Sequence, residues 1–249
     1  RRPGVEIAAD GLADVNAPYP GLVSIGRDDT ERDVLLDLEA AGGPISVIGD
    51  PSAAFEVVTA ITAELATNAW SDHLTITADA LPDELAVLQR DRFRVVPDLA
   101  PVLPELEAGR ADRLGADVLT GRVQPSSATA WQPEYVVLGR APDPETTARL
   151  VALTGAAGRS ALGVVCVGAL PGARWQLTVD ASGTLEIPIL GMRVRANQLS
   201  WRSIEAIAGL IDPDGHGDTD PTGPSSAEAW LPEVRPDIPP VTVPAEVAQ

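Results

Sequence analysis

The 249-residue sequence contains no lysine: all 18 of its basic residues are arginines. This absence excludes every mechanism in which the chain itself supplies a lysine, such as a Schiff base or a contact with the terminal phosphates of a nucleotide. Two histidines, His73 and His216, and one cysteine, Cys166, are too few for a structural zinc site or a disulfide framework. Cys166 lies in the apolar run LGVVCVG, where we expect a buried, inert thiol. We expect no cofactor and no metal.

Positive charge is also scarce, since 36 acidic residues give a formal net charge of -18. A surface of this sign repels polyanions, so we expect no direct binding of nucleic acid and favour a protein partner. No run approaches the roughly 18 apolar residues that a membrane-spanning helix needs. The sequence begins with Arg1 rather than methionine, and we expect it to be a piece of a longer protein whose other domains make any membrane contact.

The apolar pattern predicts one α/β domain over residues 20–211, after a polar linker at 1–19. The near-continuous runs ISVIG, EYVVLG and LGVVCVG are typical of parallel strands that are buried on both faces. They alternate with helical patterns, which predicts a doubly wound, mostly parallel sheet. Polar and apolar residues alternate in RWQLTVD, TLEIPI and MRVRANQ, so we expect antiparallel strands toward the C-terminus.

Shorter patterns predict the remaining elements. GLVSIG and DVLLDLE predict an N-terminal hairpin or edge pair, LPDELAVL predicts a short helix, and Asp98 is predicted to cap the helix through ELEAGRADRL. Residues 212–249 are acidic and rich in proline and glycine, which is typical of a linker or tail. Within this tail Trp230 and Leu231 form a possible docking point, and an incidental tryptophan in a solvated tail is the alternative.

The stretch ISVIGDPSAAFEVVTAITAEL, residues 45–65, has the outline of a phosphate-binding loop: an apolar strand, a glycine and then an amphipathic helix. In the working pattern G-x-x-x-x-G-K-[ST], glycines expose backbone amides, lysine reaches the terminal phosphates and the hydroxyl holds magnesium. Alignment on Gly49 places Ala54 at the second glycine, Phe55 at the lysine and Glu56 at the hydroxyl. Three of the four defining positions are therefore replaced.

The replacements also have the wrong charge. A carboxylate about 5 Å from a phosphate charge costs roughly 3 kcal/mol at an effective dielectric constant of 20, and both Asp50 and Glu56 lie near this position. Asp50 precedes a proline and is predicted to cap the helix end that a phosphate would occupy. The strand EYVVLG is followed by Gly139 and Arg140, with no carboxylate until Asp143, which is itself predicted to be a helix cap. We therefore expect no ATPase activity.

Five segments together resemble a known fold family: VLLDLEAAGG, ISVIGDPSAAFEVV, RVVPDLAPVLPELE, PEYVVLGRAPDPE and GARWQLTVDASGTLEI. They are similar to the RecA-like, P-loop-type ATPase fold of FtsK-type translocases and type VII secretion ATPases. More narrowly, they resemble a domain of large actinobacterial membrane proteins that combine a LysM module, transmembrane helices and a bacterial transcriptional activator domain. The resemblance covers roughly residues 20–211.

The narrower resemblance implies a position on the cytoplasmic side of the cell membrane, between the membrane anchor and the activator-type repeats. It favours a non-catalytic scaffold or regulatory module whose partners are proteins or flanking domains, in a protein that regulates transcription. The alternative is a degenerate ATPase module of a type VII secretion or FtsK-type motor, which binds a subunit or a substrate peptide.

Overall fold

The computed structural model describes residues 19–68, 74–111, 118–119, 132–155 and 159–212. In this part of the chain no helix is both long enough and apolar enough to cross a membrane. The docking candidates Trp230 and Leu231, and both histidines, lie outside the described residues. The boundaries of the linker, domain and tail remain predictions.

One sheet of ten strands and several helices make up the described fold. The strands are β1 (Leu22–Arg27), β2 (Asp33–Asp37), β3 (Ile45–Gly49), β4 (Thr75–Asp79), β5 (Phe93–Val96), β6 (Glu134–Leu138), β7 (Leu162–Val167), β8 (Trp175–Val179), β9 (Thr184–Ile187) and β10 (Met192–Ala196). The α-helices are α1 (Pro51–Thr67), α2 (Leu103–Ala111), α3 (Pro144–Thr154) and α4 (Trp201–Ile211). Short 3-10 helices cover Asp83–Leu88, Arg90–Arg92 and Pro188–Leu190.

The sheet has the strand order β2-β1-β10-β9-β8-β3-β7-β6-β4-β5. The strands from β8 to β5 pair in parallel and form what we call the parallel half. β9, β10, β1 and β2 pair antiparallel and form the antiparallel half, joined through β9 to β8. The predicted α/β class, the parallel sheet, the C-terminal antiparallel strands and the N-terminal hairpin are thus confirmed.

Helices cover the parallel half on both faces, which explains its continuous apolar runs. On β6, Tyr135 and Val137 pack into a core formed with α1, whereas Val136 and Leu138 pack into a second core formed with α2 and α3. Cys166 of β7 belongs to this second core and is fully buried, as predicted. Every residue of a central strand therefore faces a hydrophobic layer.

The antiparallel half is covered on one face. Its alternate residues, including Val23 and Val194, pack into the same core as α1. On the outer face Arg193 of β10 pairs with Glu186 of β9, with an N–O distance of 2.8 Å. This alternation of buried apolar and outward polar residues is the pattern that predicted antiparallel strands.

A buried ionic network joins the two halves. The Arg159 guanidinium, just before β7, binds the Asp37 carboxylate at the end of β2 and lies 3.3 Å from the Glu39 carboxylate, whose side chain is fully buried. The Tyr135 hydroxyl donates a hydrogen bond to Glu39 at 3.3 Å. The guanidinium carbon of Arg159 also lies 4.9 Å from the centre of the Tyr19 ring. The hairpin β1–β2 is thereby fixed to the start of strands β6 and β7.

Of two sequence predictions about the segment between β4 and α2, the short helix is confirmed and the helix cap was wrong. LPDELAVL forms a 3-10 helix, whose N-cap Pro82 makes no side-chain capping bond. The Asp98 carboxylate does not cap α2, which begins at Leu103; it accepts a hydrogen bond from the Ala100 N–H at 3.0 Å. This hydrogen bond closes a local turn between Asp98 and Ala100 instead, and a proline directly follows Ala100.

Candidate functional site: the junction of β3 and α1

A single residue, Asp50, separates β3 from α1. A phosphate-binding loop needs several residues between the strand and the helix, so that their backbone amides can surround the ligand. The residues that align with the second half of the motif, Ala54, Phe55 and Glu56, lie within the first two turns of α1. The junction therefore has the strand and the helix of a phosphate site but no loop between them.

The backbone packing against β8 explains why the strand ends in glycine. Gly49 has a φ of +113°, and a Cβ atom at this position would lie 2.0 Å from the carbonyl oxygen of Val179. The same oxygen accepts a hydrogen bond from the Asp50 N–H at 2.9 Å. Gly49 is thus required by the close approach of two strands, and this requirement involves no ligand.

The N-terminus of α1 is capped from within the chain, as the sequence predicted. The Asp50 carboxylate accepts a hydrogen bond from the Ala53 N–H at 2.9 Å. Pro51, the first helical residue, has no N–H to offer. Because an anion at a helix N-terminus binds to free N–H groups and to the positive end of the helix dipole, the Asp50 carboxylate occupies the place that a phosphate would need.

The side chains that replace the motif serve the fold. Ala54 is buried in the α1 core. The Glu56 carboxylate accepts a hydrogen bond from the Gln198 amide at 3.2 Å, and its backbone carbonyl accepts one from the Leu199 N–H at 3.0 Å. The segment between β10 and α4 therefore contacts α1 at Glu56. Phe55 is half-buried.

The second predicted departure from an ATPase site, the absence of a carboxylate directly after the strand EYVVLG, lies at the end of β6. The Gly139 N–H donates a hydrogen bond to the Asp79 carbonyl oxygen at 2.8 Å, and a Cβ atom at Gly139 would lie 1.8 Å from the Ala80 carbonyl oxygen. Glycine is needed here because β4 and β6 end against each other. Asp143 caps α3 as predicted, by accepting hydrogen bonds from the N–H groups of Glu145 and Thr146.

Sequence reasoning missed one carboxylate at this edge of the sheet, Asp79 at the end of β4. Asp79 pairs directly with Leu138 of β6, and its side chain is 10% exposed. Burial raises the pKa of Asp79, the Arg140 guanidinium at 3.8 Å acts in the opposite direction, and Asp98 raises the pKa further. The local signal for it is TITAD, a strand that ends in a carboxylate.

Asp79 and the β3–α1 junction are separate places in the sheet. Two strands lie between β4 and β3, so three steps of about 4.8 Å put them at least about 14 Å apart. Burial, with a contribution from Asp79, raises the pKa of Cys166 to about 12, so the thiol remains protonated near neutral pH. Within the described ranges no group of three or more His, Cys, Asp or Glu side chains is placed to hold a metal ion.

Comparison with solved structures supports the fold. No protein-family model and no curated protein matches the sequence. A structure of the pCW3 conjugation coupling protein TcpA, in its monomer form with ATPγS, superposes with a TM-score of 0.51 at 13% identity, over 77% of this chain and 70% of TcpA. At this identity the likeness concerns the fold alone.

Two further similar structures are those of EccC, a type VII secretion ATPase, and of EssC. ATPases 2 and 3 of EccC from Thermomonospora curvata, in complex with a signal sequence peptide, give a TM-score of 0.48 at 12% identity over 76% of this chain and 42% of that chain. ATPases 2 and 3 of EssC from Geobacillus thermodenitrificans give a TM-score of 0.48 at 14% identity, over 81% of this chain and 50% of that chain. The chain thus spans half or less of these two structures. On the TcpA superposition and the observed strand arrangement, the chain has the RecA-like P-loop ATPase fold.

Proposed function

We propose that this chain is a non-catalytic module of the RecA-like fold, which acts as a scaffold or regulatory interaction domain in a larger membrane-associated protein. The observation that carries the proposal is the direct passage from β3 into α1 through Asp50. Without a loop, the β3–α1 junction has no row of backbone amides with which to surround a phosphate chain.

Charge supports the same proposal. The carboxylates of Asp50 and Glu56 lie nearest to the position that a phosphate would occupy. The chain has no lysine with which to offset their negative charge. Phe55, which aligns with the motif lysine, belongs to the second turn of α1. A nucleotide would have to displace the Asp50 cap and enter a region of negative potential, and each step raises its free energy of binding.

The wider context of the proposal comes from the sequence resemblance. We infer a position on the cytoplasmic side of the membrane, next to a membrane anchor, a LysM module and activator-type repeats. The net charge of -18 favours protein partners over nucleic acid. The complete reading frame tests this context, since LysM or activator modules beside this segment would support it.

Calorimetric titration of the chain with ATP and GTP, each with magnesium, tests the absence of nucleotide binding. We expect no saturable heat at millimolar nucleotide and no phosphate release above the buffer rate. Micromolar binding or measurable turnover would refute the proposal. The variant Asp50→Ser separates charge from geometry, because serine retains a capping oxygen but removes the carboxylate. We expect this variant also to bind no nucleotide, since the loop is still missing.

A second candidate function is a degenerate ATPase module of a secretion or translocation motor that binds a neighbouring subunit or a substrate peptide. The TcpA likeness favours it, because TcpA is described as a conjugation coupling protein. An intact lysine-bearing P-loop module in the same reading frame would support this candidate over the first. Co-purification with a secreted substrate, retained after removal of residues 212–249, would do the same.

A further inference from the structure

Helix α4 is held in the fold by fewer buried side chains than α3, which has the same length. Each helix has 11 residues, but five residues of α3 are buried, whereas in α4 only Ile204 and Ala208 are. Neither Ile204 nor Ala208 belongs to the two hydrophobic cores that flank the sheet. Elements with few buried apolar contacts open at a low free energy while the rest of the fold stays closed. We therefore expect α4 to detach more easily than α3.

The apolar stripe of α4 is longer than the surface that covers it. Trp201, Ile204, Ala208 and Ile211 follow one another at helical spacing and share one face of the helix. Ile204 and Ala208, in the middle of the stripe, are buried, but Trp201 is 44% exposed and Ile211 is 52% exposed. The docked position of α4 thus removes only part of its apolar surface from water.

Polar contacts hold α4 at both of its ends. Before the first turn, the Gln198 side chain and the Leu199 N–H donate hydrogen bonds to Glu56 of α1, at 3.2 Å and 3.0 Å. After the last turn, the Arg90 guanidinium forms an ion pair with the Asp212 carboxylate, and the Arg90 side chain is 70% exposed. An ion pair that is exposed in this way contributes little to stability, because water competes for both charges.

Two buried oxygens on the elements that adjoin α4 have no hydrogen-bond partner. Among the described residues these are Oγ1 of Thr59 in α1 and Oε2 of Glu84 in the 3-10 helix Asp83–Leu88. This 3-10 helix packs against both α1 and α4. Thr59 lies three residues after Glu56, so the two residues share the face of α1 that the segment before α4 contacts. A buried polar atom without a partner disfavours the closed arrangement, since water would satisfy it on opening.

We propose that α4 is a latch, which detaches as a unit from α1 and the 3-10 helix while the sheet stays folded. The two unpartnered oxygens favour its opening, and the polar contacts at its ends favour its closure. Opening presents the whole apolar stripe of α4 on a helix that β10 still attaches to the sheet. The latch does not rest on the proposed function, because it involves neither Asp50 nor the N-terminus of α1.

Native-state amide hydrogen exchange of the whole chain, followed by NMR, tests the opening directly. We expect the amides of residues 205–209 in α4 to exchange about 100-fold or more faster than those of residues 148–152 in α3, after correction for intrinsic rates. Exchange of both helices at one common rate, that of global unfolding, would overturn the proposal.

Matched substitutions test whether the unpartnered oxygens favour opening. Thr59→Val removes the unpartnered hydroxyl and should slow the exchange of α4 about fivefold or more, and Glu84→Met should slow it as well. The control Thr62→Val removes a buried hydroxyl of the same helix that donates to the Val58 carbonyl at 2.7 Å, and it should not slow the exchange of α4. The exchange of α3 in each variant reports any change in global stability. Unchanged exchange of α4 in both Thr59→Val and Glu84→Met, or equal slowing by Thr62→Val, would overturn the proposal.

Discussion

The two halves of the sheet differ in how many of their faces are covered by helices. The central strands of the parallel half are covered on both faces, so their residues pack against apolar layers on either side. The antiparallel half is covered by α1 on one face and presents charged pairs on the other. Close strand contacts and buried charges should therefore be costly to change, whereas the exposed charged pairs of the antiparallel half should tolerate substitution.

The largest expected effect is that of a side chain at Gly49. Gly49→Ala places a methyl group 2.0 Å from the Val179 carbonyl oxygen, so β3 and β8 must separate. We expect a loss of about 4 kcal/mol or more in the free energy of unfolding, measured by urea denaturation. Gly191→Ala, at φ +62° with no atom within 4 Å, should cost only about 1 kcal/mol. Equal losses would contradict the comparison.

The second effect concerns the ionic network that joins the halves. Arg159→Gln removes the guanidinium that lies 3.3 Å from the fully buried Glu39 carboxylate, and we expect a loss of about 3 kcal/mol. The control Arg193→Gln removes an exposed pair and should cost less than about 0.5 kcal/mol. The double variant Arg159→Gln, Glu39→Gln should recover part of the loss, and thermal unfolding of all four chains provides the measurement. No recovery would argue against buried charge as the cause.

The smallest effect is a stabilisation by Asp79→Asn. Because burial raises the pKa of Asp79, the ionised carboxylate costs stability in the folded chain. This loss of stability is complete when the pH is above the pKa that Asp79 has in the folded chain. It disappears as the pH falls below the pKa that Asp79 has in the unfolded chain. We expect a gain on the order of 0.5 kcal/mol at pH 7, after allowance for solvent screening, and no gain near pH 3. A loss of stability at pH 7, with the exposed control Asp29→Asn unchanged, would show that Asp79 is satisfied in the fold.

The sequence was sufficient to predict much of the fold, because its signals are local. Continuous apolar runs predicted the parallel strands, alternation predicted the antiparallel ones, and the Asp-Pro pairs at Asp50 and Asp143 predicted two helix starts. The prediction that Asp98 caps a helix was wrong because a carboxylate can close a turn as readily as it can cap a helix. Nothing local in the sequence decides between these two roles.

The candidate sites depended on contacts between distant residues. Alignment with the motif identified Gly49 as the retained glycine and Ala54, Phe55 and Glu56 as replaced positions. It did not show that the loop itself is missing, since the length of a loop depends on where the helix starts. Asp79 was missed because its position beside Leu138 of β6 and its pairing with Arg140 depend on residues that are distant in the sequence and not visible in TITAD. A carboxylate that ends a buried strand is the local signal that could have directed attention to it.

The central claim is that the N-terminus of α1 takes no phosphate. Amide ¹H–¹⁵N spectra of the chain, titrated with ATP and magnesium to millimolar concentration, test it at the residues concerned, Ser52, Ala53 and Ala54. The account predicts that these three amide signals stay in place, because Asp50 caps the helix and no loop is present. Saturable shifts of these amides on addition of ATP would contradict it.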